Sequence, residues 1–181
     1  SRGLGDVYKR QSLPRLKVVS KYGIGLDKID VPYASSKQLP VLFTPGVNHT
    51  TVAEHALGLL LSLTKKIQIN AQQVVEGAWQ AGWKKPVGNE ILGKTLGIVG
   101  LGRIGREVAV RAKAFGMEIV AYSPSLTDER AAELGIRRCD SLSEIVRSVD
   151  VLSLHCALTD ETRGLIDAAS IAEMRPGAVV I

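Results

Sequence analysis

The stretch Thr95-Leu96-Gly97-Ile98-Val99-Gly100-Leu101-Gly102-Arg103-Ile104-Gly105 decides the fold of this chain. Its beginning is an apolar run that predicts a buried β-strand, and the sequence from Arg103 to Phe115 predicts a helix. Gly100, Gly102 and Gly105 form the pattern GxGxxG, which is meaningful where a strand leads into a helix. There the first glycine permits a tight turn, the second lets backbone approach a phosphate, and the third lets helix and strand pack closely. The stretch therefore predicts a helix N-terminus that binds the pyrophosphate of a dinucleotide.

On the carboxyl side of this motif, predicted strands alternate with predicted helices. Apolar runs typical of strands occupy residues 119–122, 151–154 and 178–181, with a shorter run at 136–138. Helices are predicted between these runs, beginning near Thr127, near Ser141 or Ser143, and near Ala168. Because such alternation implies a parallel sheet covered on both faces, the fold class is α/β with a Rossmann-type doubly wound parallel sheet, here incomplete.

The part of the chain before residue 49 predicts a separate, smaller unit. Two short strands are predicted at 17–20 and 41–43, each followed by glycine- or proline-containing turn sequence. A stretch this short is not a domain by itself. We therefore expect residues 12–48 to be the carboxyl-terminal part of a second domain.

Between these parts, the sequence predicts a long helix from Thr50 or Thr51 to about Ile69, followed by more polar helical sequence from Gln68 to Trp79. The first helix is apolar nearly all round, which is typical of a helix buried between layers or domains. We expect residues 49–92 to form an interdomain helix and linker, and residues 93–181 to form a partial dinucleotide-binding domain.

The first residues, 1–11, are unlike the rest of the sequence. The segment Asp6-Val7-Tyr8-Lys9-Arg10-Gln11 resembles a translated adaptor sequence, so we expect a non-native scar there. This segment contributes +2 to the formal charge of +5, through Arg2, Lys9 and Arg10 against Asp6. The remaining basic residues are interspersed with acidic ones, whereas a nucleic-acid partner requires a clustered basic footprint. We expect no nucleic-acid partner.

The composition narrows the class of protein and the partners it can have. With 45% hydrophobic and 23% charged residues, the chain has the composition of an ordinary globular protein. No apolar run approaches the ~20 residues that a membrane span needs, so no membrane partner is expected. Cys139 and Cys156 show neither metal-site spacing nor a disulfide framework. A reducing, cytoplasmic location is the simplest expectation.

The residue after the second predicted strand affects the choice of cofactor. An Asp or Glu about 20 residues after the glycine motif ordinarily binds the ribose hydroxyls of NAD. Here the strand ends at Tyr122, and Ser123 stands where that acid is expected. No arginine is adjacent to Ser123, since Arg130 comes a helical turn or two later, although Ser123, Ser125 and Thr127 could donate to a phosphate. NAD is the expected cofactor, and NADP stays open because the acid is replaced.

A second pattern, Gly88-Asn89-Glu90-Ile91-Leu92-Gly93-Lys94-Thr95, has the GxxxxGK[ST] spacing of a phosphate-binding P-loop. A P-loop follows a strand and leads into a helix, whereas this segment leads into a predicted strand. A helix beginning at Lys94 would favour a nucleotide triphosphatase over a dinucleotide-binding protein.

The three histidines, His49, His55 and His155, show no metal-ligand spacing, and no metal is expected. His155 closes a predicted strand at its carboxyl end, the edge where ligands bind in parallel sheets. A structural role on the cofactor side is favoured over catalysis for this residue.

The chain resembles the D-isomer-specific 2-hydroxyacid dehydrogenases, in particular their phosphoglycerate dehydrogenase-like branch, over about residues 16–181. The resemblance depends on several ordered blocks, with Ala157 in place of the family's usual proline. These blocks are Tyr22-Gly23-Ile24-Gly25-Leu26-Asp27, Thr44-Pro45-Gly46-Val47-Asn48, Val52-Ala53-Glu54-His55, residues 92–107, residues 150–159 and Met174-Arg175-Pro176-Gly177-Ala178. It implies that residues 12–48 are part of a flavodoxin-like substrate domain.

The resemblance also implies which residues bind the ligands. The amides of Arg103 and Ile104 are expected at the pyrophosphate, and Cys156 on the adenosine side. Ile24 and Val52 are expected near the nicotinamide. The implied cofactor-binding residues are Gly100, Gly102, Arg103, Ile104, Gly105, Ser123, Cys156, Ile24 and Val52. The implied substrate-binding residues are Ile24, Gly25 and Asn48.

By the same resemblance, the protein is an oxidoreductase that transfers a hydride between NAD(P) and a small D-2-hydroxy acid or 2-oxo acid. The family's catalytic Arg, Glu and His are expected beyond Ile181, so no catalytic residue is assigned here and the 181 residues are expected to be inactive alone. The intact protein is expected to be a homodimer. The alternative is a non-catalytic, dinucleotide-sensing binding protein such as a corepressor, and a weaker one is an S-adenosyl-dependent enzyme.

Overall fold

The computed structural model describes residues 15–26, 28–78, 84 and 86–181, and divides the chain into two compact units that meet in sequence at Asn48 and His49. Asp27, Trp79 and the segment 1–11, which figure in the sequence predictions, lie outside the described residues. The first unit contains strand β1 (Val19–Ser20), helix α1 (Val31–Ser36) and strand β2 (Val41–Leu42). The two strands pair in parallel.

The second unit contains five parallel strands with helices between them. The strands are β3 (Thr95–Val99), β4 (Glu118–Tyr122), β5 (Arg137–Arg138), β6 (Val151–Leu154) and β7 (Val179–Val180). The helices are α2 (His49–Thr64), α3 (Ile67–Val75), α4 (Arg103–Ala114), α5 (Asp128–Glu133), α6 (Leu142–Ser148) and α7 (Ala168–Glu173). The strand order is β5-β4-β3-β6-β7, with every pair parallel. The predicted Rossmann-type doubly wound sheet is confirmed.

Both faces of β3 are buried, which explains why its sequence is continuously apolar. Leu96 and Ile98 are fully buried in a cluster with residues of α2 and α4. On the other face, Val99 packs with residues of α6 and β6. Gly97 also faces α6, where a Cβ would lie 3.0 Å from Ile145 Cγ1, and 2.7 Å from Cγ1 of Val149 just after the helix. The strand that carries the glycine motif is therefore fixed from both sides.

The helix predicted to run to about Ile69 ends earlier. Helix α2 stops at Thr64, and α3 begins at Ile67 after Lys66, whose φ of 53° is left-handed. The carbonyl of Thr64, which a continuing helix would use, accepts instead from the amide of Asn89 at 2.7 Å. Gly88 packs so closely against Lys65 that a Cβ on Gly88 would lie 2.6 Å from the Cα of Lys65. A distant segment therefore ends the helix, and local sequence could not predict this.

Within the described part of the chain, no helix combines the length and the apolar character needed to cross a membrane. The same residues contain no group of three or more His, Cys, Asp or Glu side chains arranged to hold a metal ion.

Candidate dinucleotide-binding site

The turn after β3 requires glycine at its first position. Gly100 has a φ of +92°, in the left-handed region that disfavours a side chain. A Cβ there would also lie 2.6 Å from the backbone nitrogen of Cys156 and 2.8 Å from the carbonyl carbon of His155. The turn and the end of β6 are therefore in direct backbone contact.

The other two glycines of the motif have opposite surroundings. A Cβ on Gly105 would lie 2.3 Å from the carbonyl oxygen of Gly100 and 3.1 Å from Ile98 Cγ2, so the first turn of α4 rests directly on β3. A Cβ on Gly102 would meet nothing within 4 Å. Gly105 is thus needed for packing, whereas none of the described residues fills the space beside Gly102. That pattern matches a position kept open for a ligand.

The N-terminus of α4 faces this open position. Gly102 is the N-cap residue and makes no side-chain capping hydrogen bond. The first helix-type bond runs from the amide of Arg106 to the carbonyl of Gly102 at 3.1 Å. The amides of Arg103, Ile104 and Gly105 precede that bond, so no helix carbonyl accepts from them. Aligned amides and the helix dipole together favour a bound anion.

The corner also lies where the winding of the sheet reverses. From β3 the chain proceeds to β4 and β5 on one side, and later to β6 and β7 on the other. The amide of Gly100 donates to the carbonyl of Tyr122 at 2.9 Å, and that of His155 donates to Val99 at 2.8 Å. The carboxyl ends of β3, β4 and β6 therefore meet at one crevice, where doubly wound sheets bind their ligands.

A shallow cavity of about 200 Å³ lies at the end of β4. Ser123 begins a turn closed by the amide of Leu126, which donates to the Ser123 carbonyl at 3.0 Å. The lining residues are Leu101, Arg106, Ser123, Ser125, Leu126, Arg130 and Leu134. The sequence predictions placed no arginine beside Ser123, and this is corrected here because both Arg106 and Arg130 line the same cavity.

Arg106 was missed because it lies 17 residues before Ser123 in the chain. The sequence could have indicated Arg106 in one way. It lies on the first turn of α4, and the strand before that helix, β3, pairs with β4. Arg130 lines the cavity because the turn at Ser123 leads directly into α5. Thr127 caps this helix by accepting a hydrogen bond from the amide of Arg130 at 3.3 Å.

His155 and Cys156 come directly after β6, on the opposite side of Gly100. Cys156 is exposed. His155 is half-buried, and its Nε2 lies 2.7 Å from the hydroxyl oxygen of Ser153. Ser153 is itself fully buried within the strand. The imidazole is thus held by its own strand, beside the glycine turn.

Burial lowers the pKa of the His155 imidazole below its ordinary value of 6.5. The unfolded chain therefore takes up a proton at this residue more readily than the folded chain does as the pH falls. We expect the free energy of unfolding to be largest above about pH 6.5 and to decrease as the pH falls towards 5. Urea unfolding at several pH values should show a shallower decrease for His155→Gln. An unchanged slope would contradict this role of burial.

In the first unit, two loops come together at the carboxyl ends of β1 and β2. The amide of Gly23 donates to Thr44 Oγ1, and the amide of Thr44 donates to the Gly23 carbonyl, both at 3.2 Å. Ile24 and Gly25 lie on the first loop, and Asn48 ends the second. Asn48 Oδ1 is buried without a hydrogen-bond partner among the residues described.

Val52 lies in the second unit, on the first turn of α2, and is half-buried. Helix α2 packs on α4 through Ala53, Leu57 and Leu60, which share a core cluster with Val108 of α4. An ion pair between Glu54 and Arg111 at 3.8 Å joins the same two helices. Val52 is therefore held on the helix that packs against the glycine-motif helix.

The P-loop-like segment leads into a strand. Strand β3 begins at Thr95, directly after Lys94, so this loop leads into a strand and not into a helix. The amide of Gly93 donates to the carbonyl of Gly116 at 2.9 Å, which ties the loop to the end of α4. This geometry does not provide the amide cradle of a triphosphate site.

The strand order, the glycine corner and the open helix N-terminus define a dinucleotide-binding protein of the Rossmann class. The family model "D-isomer specific 2-hydroxyacid dehydrogenase, NAD binding domain" matches residues 57–181. The chain belongs to this family, as the sequence resemblance predicted.

Named relatives agree with this assignment. The chain is 43% identical over 166 residues to hydroxypyruvate reductase of Thermotoga maritima, covering 92% of this chain and 52% of the relative. It is 42% identical over 168 residues to D-3-phosphoglycerate dehydrogenase of Mycobacterium tuberculosis, covering 93% of this chain and 31% of the relative. The chain therefore spans about a third to a half of these curated relatives.

A solved structure is similar to this chain. The crystal structure of a putative D-isomer specific 2-hydroxyacid dehydrogenase, NAD-binding, from Polaromonas sp. JS6 66 superposes with a TM-score of 0.84 at 32% identity. The match covers 92% of this chain and 52% of that one.

Proposed function

We propose that this chain supplies the NAD(P)-binding part of an oxidoreductase that transfers a hydride between the cofactor and a small D-2-hydroxy acid or 2-oxo acid. The observation that carries this proposal is the open space beside Gly102 at the uncapped N-terminus of α4. A dianionic pyrophosphate fits such a position, because the free amides and the helix dipole both favour negative charge. When bound, the nicotinamide ring supplies the hydride acceptor or donor.

The corner residues bind and orient the cofactor. The amides of Arg103 and Ile104 donate to the pyrophosphate, and Gly102 lets it approach the backbone. Gly100 and Gly105 act indirectly, by fixing the turn and seating the helix on β3. This division of roles explains why the three glycines meet different surroundings.

Family membership supports the remaining proposals, together with the position of each residue within its own unit. Ser123 lies at the adenosine ribose, since it is the first residue after β4, and Cys156 lies on the adenosine side. Ile24 and Val52 contact the nicotinamide end. Ile24, Gly25 and Asn48 face the substrate carboxylate, and the unpaired Asn48 Oδ1 is consistent with a polar group kept for a ligand.

The substrate class is that of the named relatives, which include a hydroxypyruvate reductase and a D-3-phosphoglycerate dehydrogenase, with a glyoxylate reductase among the similar structures. These names share a small carboxylic acid with a hydroxyl or oxo group at C2. Turnover is proposed for the whole protein, to which this chain contributes the cofactor-binding part.

The proposal is tested by calorimetry on the folded chain with NAD⁺, NADP⁺, ATP and S-adenosylmethionine. We expect measurable binding of at least one dinucleotide and weaker binding of ATP and S-adenosylmethionine. Preferential binding of ATP or S-adenosylmethionine would contradict it. The whole protein, assayed with hydroxypyruvate, glyoxylate and phosphoglycerate, should oxidise or reduce the cofactor. Dinucleotide binding without turnover on any 2-hydroxy or 2-oxo acid would favour a sensing protein.

A further inference from the structure

The cavity at the end of β4 has a distinctive set of polar groups. Arg106 and Arg130 bring two guanidinium groups to it, and Ser123 and Ser125 bring two hydroxyls. The other lining residues are leucines, and among the residues that the structure describes no carboxylate side chain lines it. Its volume of about 200 Å³ is several times the ~30 Å³ that one water occupies in the liquid. The cavity therefore has the charge and the room for a phosphate group.

The position of this cavity relates it to one part of the dinucleotide. In a doubly wound sheet, the residue directly after the second strand of the nucleotide-binding half meets the adenosine ribose. An acidic residue there binds the 2′-hydroxyl of NAD, whereas a nearby arginine accommodates the 2′-phosphate of NADP. Here β4 is that strand and Ser123 is that residue. A serine hydroxyl can donate to a phosphate and does not repel it.

Both arginines are available to a ligand. Arg106 makes no ion pair and no side-chain hydrogen bond within the described ranges. Arg130 donates to Glu133 Oε2 at 2.5 Å, but their side chains are 51% and 62% exposed. Ion pairs between side chains this exposed contribute little to stability. A dianionic phosphate can therefore compete with Glu133 for this guanidinium, and the arginine fork suits phosphate geometry.

We propose that the chain prefers the 2′-phosphorylated dinucleotide, NADP(H), and that Arg106, Arg130, Ser123 and Ser125 bind its 2′-phosphate. This inference rests on the proposed function, because the cavity has this meaning only if the pyrophosphate binds at the N-terminus of α4. It reverses the preference for NAD expected from the sequence, since only the folded chain brings Arg106 to Ser123.

Calorimetry on the folded chain tests the preference with two pairs of probes, NADP⁺ against NAD⁺, and 2′,5′-ADP against 5′-ADP. The second pair lacks nicotinamide and isolates the adenosine end. We expect the 2′-phosphorylated member of each pair to bind at least about tenfold more tightly, a difference of about 1.4 kcal/mol. The advantage should shrink as salt is raised, because screening weakens the arginine–phosphate attraction.

Variants locate the preference on these residues. Arg106→Gln and Arg130→Gln should each reduce the ratio of NADP⁺ to NAD⁺ affinity several-fold, and Ser123→Asp should reverse it by repelling the 2′-phosphate. Arg147→Gln is the matched control, since Arg147 pairs with Glu173 between α6 and α7 and does not line the cavity. This control should leave the ratio unchanged.

The outcomes separate the two proposals. Equal or tighter binding of NAD⁺, or an affinity ratio unaffected by Arg106→Gln and Arg130→Gln, would overturn the NADP(H) inference and leave dinucleotide binding intact. Failure of the folded chain to bind any of the four probes would remove the proposed function itself.

Discussion

Replacement of Gly102 by aspartate is expected to weaken dinucleotide binding by at least about 100-fold without lowering the stability of the fold. The Cβ of the new side chain meets no atom of the described residues within 4 Å, and aspartate is a better N-cap residue than glycine. Its carboxylate would occupy the open position, bond to the amides of α4 and repel the pyrophosphate. Losing two charge-assisted hydrogen bonds at about 1.5–3 kcal/mol each accounts for at least that factor.

Gly58→Asp is the matched control for this substitution. Gly58 lies on α2, and a Cβ there also meets nothing within 4 Å, so the same charge is added away from the glycine motif. Calorimetry should show normal dinucleotide affinity for this variant, and thermal unfolding should show both variants folded. If Gly102→Asp bound the dinucleotide as the unaltered chain does, the pyrophosphate would have to bind elsewhere.

Replacement of Gly105 by alanine is expected to damage both stability and binding. A glycine-to-alanine change inside a helix ordinarily stabilises it by up to about 1 kcal/mol. Here the added Cβ would lie 2.3 Å from the carbonyl oxygen of Gly100, which is backbone and cannot move aside cheaply. Overpacking of this kind typically costs about 1–3 kcal/mol, so the clash outweighs the helix propensity. Moving α4 off β3 also misplaces the amides of Arg103 and Ile104.

Urea unfolding measures the first effect and calorimetry measures the second. Gly58→Ala provides the reference, because it makes the same change in a helix without a nearby atom and should be neutral or stabilising. The packing role of Gly105 is wrong if Gly105→Ala is as stable as Gly58→Ala and binds the dinucleotide normally.

The sheet was predictable because its determinants are local. The run at 95–99 is apolar at nearly every position, as expected for a strand buried on both faces, and the glycine motif fixes the turn and the helix after it. The sequence offered Ser141 or Ser143 as the cap of α6. Ser141 is the cap, and its hydroxyl accepts a hydrogen bond from the amide of Glu144 at 3.1 Å. Local capping chemistry therefore located the start of α6, whereas α2 begins at His49, before its predicted caps Thr50 and Thr51.

The features that sequence could not predict arise from contacts between distant segments. Helix α2 ends at Thr64 because Asn89 takes its carbonyl, and no local signal marks that contact. Arg106 and Ser123 share a cavity only because α4 and β4 are adjacent elements of the folded unit. The glycine corner is encoded by a short motif, whereas the composition of the ribose end depends on tertiary packing.

The most direct test of the central claim is an amide NMR titration of the ¹⁵N-labelled chain with NAD⁺ and with NADP⁺. We expect the largest shift changes at the amides of residues 101–105, with smaller changes at Ser123 and Cys156, because these groups surround the corner between β3 and α4. Changes concentrated at residues 88–94, or on α6 and α7 behind the sheet, with residues 101–105 unaffected, would contradict dinucleotide binding at this corner.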